Sequence, residues 1–448
     1  MSERWKDCIV ADIASSDRNA LVGGPFGSNL VSKDYVDHGI PVIRGQNMAT
    51  RWVSGDFVFV SEEKADQLSA NWARPGDLVF TQRGTLGQVA LVPTGAYDRY
   101  VVSQSQMKLT TDLDKAEPLF LYYVFNSPHQ LNYIQQNAIQ VGVPHTNLGI
   151  LRNTPISLPP LKTQKKIASI LGSLDDKIEL NRRMNATLES MAQTIFQSWF
   201  IDFDPVHRNA ALRTSLASST SPTSQSTKCD HLFPNSFETS ELGPIPTGWR
   251  VGSILEEAKL LSGGTPKTSN PEYWGGTIPW ASAKDVSQCS DALLVSTERS
   301  ITELGEKKSA TKVIPAFSTV VVSRGATTGR LTMFGIPMAM NQTCYALKSK
   351  FDSNFALYCH ARKFIEHAVH ACHGSVFATI TTSTFESTKV LLAPREVQLE
   401  FNHLVEPLFQ QMLANTHKSI AIATLRESLS QELLRKSDTS RFVHTVNV

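Results

Sequence analysis

What this chain is short of narrows its function before anything present in it does. Its six cysteines (Cys8, Cys229, Cys289, Cys344, Cys359 and Cys372) are scattered, with no C-x-x-C pair. That spacing argues against a disulfide framework or a zinc ribbon and for free thiols in a reducing cytoplasm. No apolar run approaches the roughly 18 residues that a membrane span needs. The start, Met1-Ser2-Glu3-Arg4-Trp5-Lys6-Asp7, lacks the apolar core of a signal peptide. The expectation is a cytoplasmic protein with no membrane partner. Charge of one sign is also scarce, since 43 Lys and Arg against 41 Asp and Glu leave a net charge of +2. Nucleic-acid-binding domains commonly have a pI above roughly 9. Any DNA affinity must therefore come from a local basic stripe or from partner subunits.

Catalytic and cofactor motifs are missing as well. No G-x-G-x-x-G follows a strand, so a dinucleotide fold has no support. Ser262-Gly263-Gly264-Thr265-Pro266-Lys267-Thr268-Ser269 superficially resembles a phosphate loop. Its glycine-to-lysine spacing is wrong, and Pro266 removes an N–H such a loop would use, so it reads as a turn between strands. A base methyltransferase would place an acid or amide before Pro-Pro and an aromatic after it. Leu158-Pro159-Pro160-Leu161 has neither. Cys359, His360, His367, His370, Cys372 and His373 cluster in sequence, but without a second ligand pair at standard spacing. The same segment carries Phe355, Tyr358, Phe364, Ile365 and Val369 at helical spacing, so these histidines read as solvated or core residues. No metal and no cofactor is assigned to this chain.

What is present is a duplication. Gly23-Gly24 recurs as Gly263-Gly264, Ile40-Pro41 as Ile278-Pro279 and Arg83-Gly84 as Arg324-Gly325; Gln104 recurs as Gln342, and Pro160 with Gln164 as Pro394 with Gln398. Separations of 234 to 241 residues describe one duplication with small insertions, and such repeats dictate architecture. With 41% hydrophobic residues the chain can form proper cores. The expected organisation is a first globular unit (1–158), a central long helix (159–207), a Ser/Thr-rich linker (208–240), a second globular unit (241–393), a C-terminal long helix (394–437) and a tail (438–448). Within the globular units, short runs such as Asp77-Leu78-Val79-Phe80 and Val89-Ala90-Leu91-Val92, punctuated by Gly and Pro, read as strands. Pro118 to Gln136 reads as helix, through Leu119, Tyr122, Tyr123, Leu131 and Ile134. The fold class is α/β in the mixed α+β sense: two tandem domains, each followed by a long helix.

Both long helices carry heptad seams. Leu171, Leu174, Ile178, Asn181, Asn185, Leu188, Ala192, Ile195 and Trp199 alternate in steps of three and four. Shifted by 234, the seam reads Val405, Leu408, Met412, Asn415, Ser419, Ile422, Arg426, Leu429 and Leu433. Polar Asn181 matches Asn415, and Asn185 matches Ser419. Such residues cost stability and fix register. The seams are expected to pair with each other as an antiparallel coiled coil about a pseudo-two-fold axis. Pro407 should kink the second helix or mark its first turns.

The remaining chemistry sits in polar loops. The first unit offers Arg44, Gln46, Asn47, Gln82, Arg83, Thr85, Gln104 and Gln106; the second offers Lys284, Arg324, Thr327, Asn341 and Gln342. Arg, Gln and Asn make the bidentate contacts that distinguish base edges, and glycine lets backbone approach phosphate. The bland reading of each loop is a turn with a solvated tip.

In their order these residues resemble the specificity subunit of Type I restriction–modification systems. The likeness rests on IPVIRGQNM (Ile40 to Met48), TQRGTLGQVALVP (Thr81 to Pro93), VVSQSQMKL (Val101 to Leu109) and above all the stretch from Leu158 to Val206. In the second half it rests on ELGPIPTGW (Glu241 to Trp249), SGGTPKTSNPEYWGGTIPW (Ser262 to Trp280) and SRGATTGR (Ser323 to Arg330). The resemblance implies a non-catalytic subunit with two target-recognition domains, each reading half of a split duplex DNA sequence, spaced by two long antiparallel helices. It also implies two methyltransferase subunits carrying S-adenosylmethionine, and restriction/motor subunits for cleavage. The Ser/Thr-rich linker departs from the more charged connection usual in the family. Two other readings remain open: a stand-alone bipartite DNA-binding protein, and a duplicated small-molecule enzyme.

Overall fold

The computed structural model describes residues 5–140, 144–217, 229–371 and 379–435. The chain divides into two compact units, Met1–Lys177 with Ile422–Val448, and Ile178–Ala421. Each contains a mixed α/β domain and a share of both long helices.

In the first unit the chain runs through β1 (Lys6–Ile9), β2 (Leu21–Gly23), β3 (Tyr35–Val36), β4 (Ile40–Ile43), β5 (Val58–Val60), α1 (Glu62–Gln67), β6 (Trp72–Ala73), β7 (Leu78–Thr81), β8 (Val89–Leu91), β9 (Tyr100–Val102) and β10 (Gln106–Leu109). One antiparallel sheet has the order β2-β10-β7-β8; a second has the order β3-β5-β4-β9-β6, with β4 and β9 parallel. Every residue of β7, β8 and β10 is buried, as expected of strands covered on both faces. The segment expected as one helix from Pro118 is two, α2 (Pro118–Phe125) and α3 (Pro128–Asn137). Ser127 caps the second and Pro128 opens it, because proline has no N–H to continue the first. Short α4 (Leu148–Arg152) leads to β11 (Pro155–Leu158), which pairs with β1. Pro159 and Pro160 then open α5 (Leu161–Phe200).

After α5 comes a difference from the sequence expectation. Residues Asp204–Ala217 form a helix, α6, where the linker was expected to begin at residue 208. Its composition is helix-tolerant as far as Ala217, and its polar side chains find partners. The Arg208 guanidinium donates to both Asp230 oxygens at 3.2 and 2.8 Å, and the Asn209 amide donates to the carbonyls of Asp230 and Phe233. The serine-rich part, 218–228, lies outside the described residues.

The second unit contains β12 (Phe237–Ser240), β13 (Gly243–Pro246), β14 (Arg250–Ser253), β15 (Ala258–Ser262), β16 (Trp274–Ala281), α7 (Ala283–Gln288), β17 (Leu293–Leu294), β18 (Arg299–Ile301), α8 (Glu303–Lys307), β19 (Thr319–Val322), β20 (Leu331–Phe334), β21 (Ala339–Met340), β22 (Cys344–Ser349), α9 (Asn354–Ala371), α10 (Thr382–Ser387), β23 (Lys389–Leu392) and α11 (Arg395–Leu433). Its sheet β15-β22-β19-β20-β17 repeats the order of β2-β10-β7-β8 with one strand added. The parallel pair β16–β21 repeats β4–β9, and β14–β23 repeats β1–β11. Strand register refines the sequence match by one residue. Met107 faces Gly23 and Tyr345 faces Ser262, so Gly24 corresponds to Gly263. A Cβ on Gly24 would lie 1.9 Å from the Ser103 carbonyl oxygen, and one on Gly263 2.0 Å from that of Asn341. Close backbone approach requires glycine at both places.

The two long helices touch within each unit. In the first, Arg426 of α11 donates to Asp175 of α5 at 2.5 Å, and half-buried Leu429 and Leu433 pack on the core that contains Ile167 and Leu171. In the second, the Asn181 amide donates to Ser419 at 3.0 Å, the Asn415 amide to Asn185 at 3.0 Å, and the Asn185 amide to Thr416 at 3.1 Å. Of the expected seam, Leu171, Ile178, Asn181, Met412 and Asn415 are buried. Leu174, Leu188, Ile195, Leu408 and Ile422 are half-buried. Phe196 and Phe409, outside the heptad phase, are buried as well, and so is Phe401, which extends the α11 seam one step before Val405. Pro407 lies inside α11, past its first turns. Replacing Asn185 with Ala strands the Asn415 amide and removes the donor to Thr416, whose hydroxyl keeps its bond to the Met412 carbonyl. That change is expected to lower stability by about 1–3 kcal/mol, read from denaturant unfolding; an unchanged midpoint would contradict these contacts.

Candidate nucleic-acid interface

In each unit four loops meet at one end of the principal sheet. In the first unit these follow β2, β4, β7 and β9. Backbone bonds tie them: Gly24 N–H to the Gln106 carbonyl at 2.8 Å, Gln82 N–H to Ser105 at 2.7 Å, and Ser103 N–H to Ile43 at 3.0 Å. Gln88, which sequence reading passed over, is the cross-tie. Its amide donates to Gly45 and Met48 at 3.2 and 3.0 Å, while its oxygen accepts from Thr81 at 3.0 Å. Its signal lay within the quoted TQRGTLGQ stretch, but a glutamine carries no mark of facing inward.

The structure separates the first-unit candidates by what they face. Asn47 is buried, its amide donating to Ser54 and Asp56 at 3.1 and 2.9 Å and its oxygen accepting from the Arg44 N–H at 3.0 Å. Gln106 is also buried, its oxygen taking a short bond from the Ser103 hydroxyl. Both brace loops and are not available to a ligand. Arg44 is half-buried with its Nε enclosed and unbonded, and Gln82 is half-buried. Gln46 is exposed but donates to Asp56 at 3.1 Å. Gln104 is exposed, and its amide holds the carbonyls of Gly27 and Leu30 at 2.6 and 2.5 Å, fixing the loop after β2. Arg83 and Thr85 stand exposed on either side of Gly84, whose φ of +103° is a conformation that favours glycine.

The second unit builds the same rim from different side chains. Ser323 N–H donates to the Thr343 carbonyl at 2.8 Å, Asn341 N–H to Ala281 at 2.9 Å, and Gly264 N–H to Met340 at 2.9 Å. Arg324 is exposed beside Gly325, φ +99°, and donates to the Gln342 carbonyl at 3.3 Å. Thr327 is half-buried. Asn341 accepts from the Thr343 hydroxyl at 2.7 Å, and exposed Gln342 accepts a short bond from Thr265. Lys284 is exposed but bonded to Glu298 at 2.6 Å, and that carboxylate raises its pKa. Its charge is therefore already partnered. The Arg299 guanidinium lies 3.5 Å above the Trp274 ring.

Sequence reading also missed Phe26. It is 89% exposed, next to Gly27, whose carbonyl Gln104 holds. A single apolar residue between Pro25 and Gly27 gave no periodic signal.

Among the described residues no group of three or more His, Cys, Asp or Glu could hold a metal ion. His360 lies 3.4 Å from Glu257, and burial pushes the Cys359 thiol up to about 12. The His370 side chain, Cys372 and His373 lie outside the described residues. A cavity of about 490 Å³ in the second unit is lined by Glu189, Cys289, Asp291, Arg330, Tyr358 and Arg362. Its Glu189 is engaged by Tyr358 and Arg362, and burial raises the Cys289 thiol. Among the described residues no helix is long and apolar enough to cross a membrane.

Comparison with known proteins agrees with this layout. A family model described as "Type I restriction modification DNA specificity domain" matches residues 28–190 and 246–423. The Type I restriction enzyme HindI specificity subunit of Haemophilus influenzae is 26% identical over 401 residues, 81% of this chain and 86% of that protein. The MjaIX specificity subunit of Methanocaldococcus jannaschii is 22% identical over 425 residues, 93% of this chain and 91% of that protein. The crystal structure of a Type I restriction-modification system S subunit from M. genitalium shares the fold, with a TM-score of 0.54, 14% identity and 96% of each chain covered.

Proposed function

Because this chain belongs to the Type I restriction–modification DNA specificity family, we propose that it recognises a bipartite duplex target, one half-sequence per unit, and directs modification and restriction subunits to it. The observation that carries this reading is the recurrence of one four-loop rim, with an exposed Arg-Gly tip, in both units of a single chain. A bipartite reader needs two such rims, and their unlike side chains allow unlike half-sequences.

The long helices serve as the spacer in this reading. Shifting the Asn181–Ser419 bond by the repeat length produces the Asn415–Asn185 bond. That exchange supports an antiparallel coiled coil with pseudo-two-fold symmetry, bounded by the domain limits given above. A helix of about 40 residues spans roughly 60 Å, longer than the 34–36 Å of one DNA turn. The chain itself supplies recognition and no chemistry. Two methyltransferase subunits bring S-adenosylmethionine, restriction/motor subunits join for cleavage, and the assembly works in the cytoplasm.

Of the loop candidates, Arg83 and Arg324 are proposed as the principal DNA contacts, with Gln46, Thr85, Gln104, Thr327 and Gln342 beside them. Arg44, Gln82, Lys284 and Asn341 take lesser places, and Asn47 and Gln106 act through the loops they brace. Arg83→Ala and Arg324→Ala are each expected to impair recognition of one half-sequence, and opposite halves. A bidentate base contact would cost about 1–3 kcal/mol and relax one position, whereas a phosphate contact would weaken all sequences evenly. Titration against half-site variants distinguishes these, and unchanged binding in both mutants would return the loops to solvated turns.

A further inference from the structure

We propose that Tyr123 and Tyr358 are positioning residues for gap-length specificity: each hydroxyl, bonded to a carboxylate of α5, fixes its recognition domain on the helix that serves as spacer. The inference rests on the bipartite reading above and names residues that would set its precision.

The two tyrosines hold equivalent places in the repeat, Tyr123 in the second half of α2 and Tyr358 in the second turn of α9. Both rings are buried, at 5% and 2% exposure. The Tyr123 hydroxyl donates to Asp175 at 2.6 Å, and the Tyr358 hydroxyl donates to Glu189 at 2.8 Å. Both acids lie on α5. Each is held in turn by arginine: Asp175 by Arg426 at 2.5 Å, with Arg51 at 4.0 Å, and Glu189 by Arg362 at 2.5 Å. A neutral hydroxyl meeting an ionised carboxylate gives a short, directional bond, stronger than one between neutral groups. Burial pushes both phenols upward, so each remains a donor across the working pH range.

Simple core packing does not explain the pair. The repeat places Phe409 of α11 where Asp175 stands on α5, and the Tyr358 ring packs on Phe409 at 5.6 Å. Ring packing thus takes the partner that the repeat supplies. The hydroxyl instead reaches a different acid on α5. A hydroxyl–carboxylate bond to one and the same helix is therefore present in both units through different acids, which marks the bond as the retained feature. Displacing the reading loops by roughly 3.4 Å, one base-pair step, matches a target whose gap differs by one base pair. Freedom of a domain on its helix becomes tolerance of gap length.

Tyr123→Phe and Tyr358→Phe remove one oxygen each and leave the ring contacts and the arginine partners in place. The test uses the full chain assembled with its methyltransferase subunits. The probes are duplexes carrying the methylated target with its native gap, or with the gap one base pair longer or shorter. Wild type should favour the native gap. Each variant should reduce that preference by about fivefold or more, as loss of a charge-assisted hydrogen bond allows, and the double variant should reduce it further, with preference for both half-sequences unchanged. An unaltered gap preference in the double variant overturns the proposal, and so does an equal loss of affinity on all three duplexes. A wild-type complex indifferent to gap length overturns the bipartite reading itself, and the positioning role with it.

Discussion

Lengthening the paired helices by four residues, after Asn185 in α5 and, at the facing level, after Ala414 in α11, is expected to widen the gap of the target by about two base pairs. Four residues add about 6 Å of helix, close to two base-pair steps. The insertion points lie in the part of the seam where Asn181 bonds Ser419 and Asn185 bonds Asn415. Inserting in both helices preserves their match, whereas lengthening α5 alone would pull these polar contacts out of register. Both half-sequences should be retained, since no rim residue is touched. Methylation mapping or selection of bound duplexes reads the result. A changed half-sequence with an unchanged gap would show that the helices are not the spacer. If binding is lost altogether, circular dichroism separates misfolding from a true loss of recognition.

The second large effect concerns affinity. Alone, the chain should bind its target weakly and lose that binding steeply with salt. Its 43 basic residues are nearly balanced by 41 acidic ones, and one candidate cation, Lys284, is already paired with Glu298. Few charges are therefore available for counterion release. Adding the methyltransferase subunits should raise affinity on the order of 100-fold or more, because several linked contacts then engage one duplex. Equal affinity with and without those subunits, measured by titration at one fixed salt concentration, would contradict the assembly and favour a stand-alone binder. Methyl transfer from S-adenosylmethionine by the purified chain alone would overturn the assignment of chemistry to the partners.

Much of the architecture was legible because duplication leaves marks that single residues do not. Arg83-Gly84 and Arg324-Gly325 were matched from sequence, and their glycines share one positive-φ geometry at the rim. The seam's polar positions were visible because asparagine interrupts an apolar period. Other features were hidden for physical reasons. Phe196 and Phe409 lie outside the heptad phase, since bulky rings widen the buried face where domain and helix meet. The break at Ser127-Pro128 was masked by apolar spacing that continues across it. The 208–217 part of α6 reads as linker because serine and threonine dominate the sequence just beyond it. Within the rims, residue type indicated polar loops but not direction. Asn47, Gln88 and Gln106 brace the backbone inward, while Arg83 and Arg324 point to solvent, and no one-dimensional pattern separates the two. Tyr123 and Tyr358 looked like ordinary helix-core positions until their hydroxyl partners were seen.

The central claim is that this one chain reads two separated half-sequences, one with each unit. Its most direct test is a genome-wide map of adenine methylation in cells that carry the chain with its methyltransferase subunits, compared with cells carrying the Arg83→Ala or Arg324→Ala variant. The expected map shows methylation at a split sequence, two specified halves around a fixed unspecified gap, with each variant relaxing a different half. A single continuous motif, or a split motif whose same half is relaxed by both variants, would contradict the account.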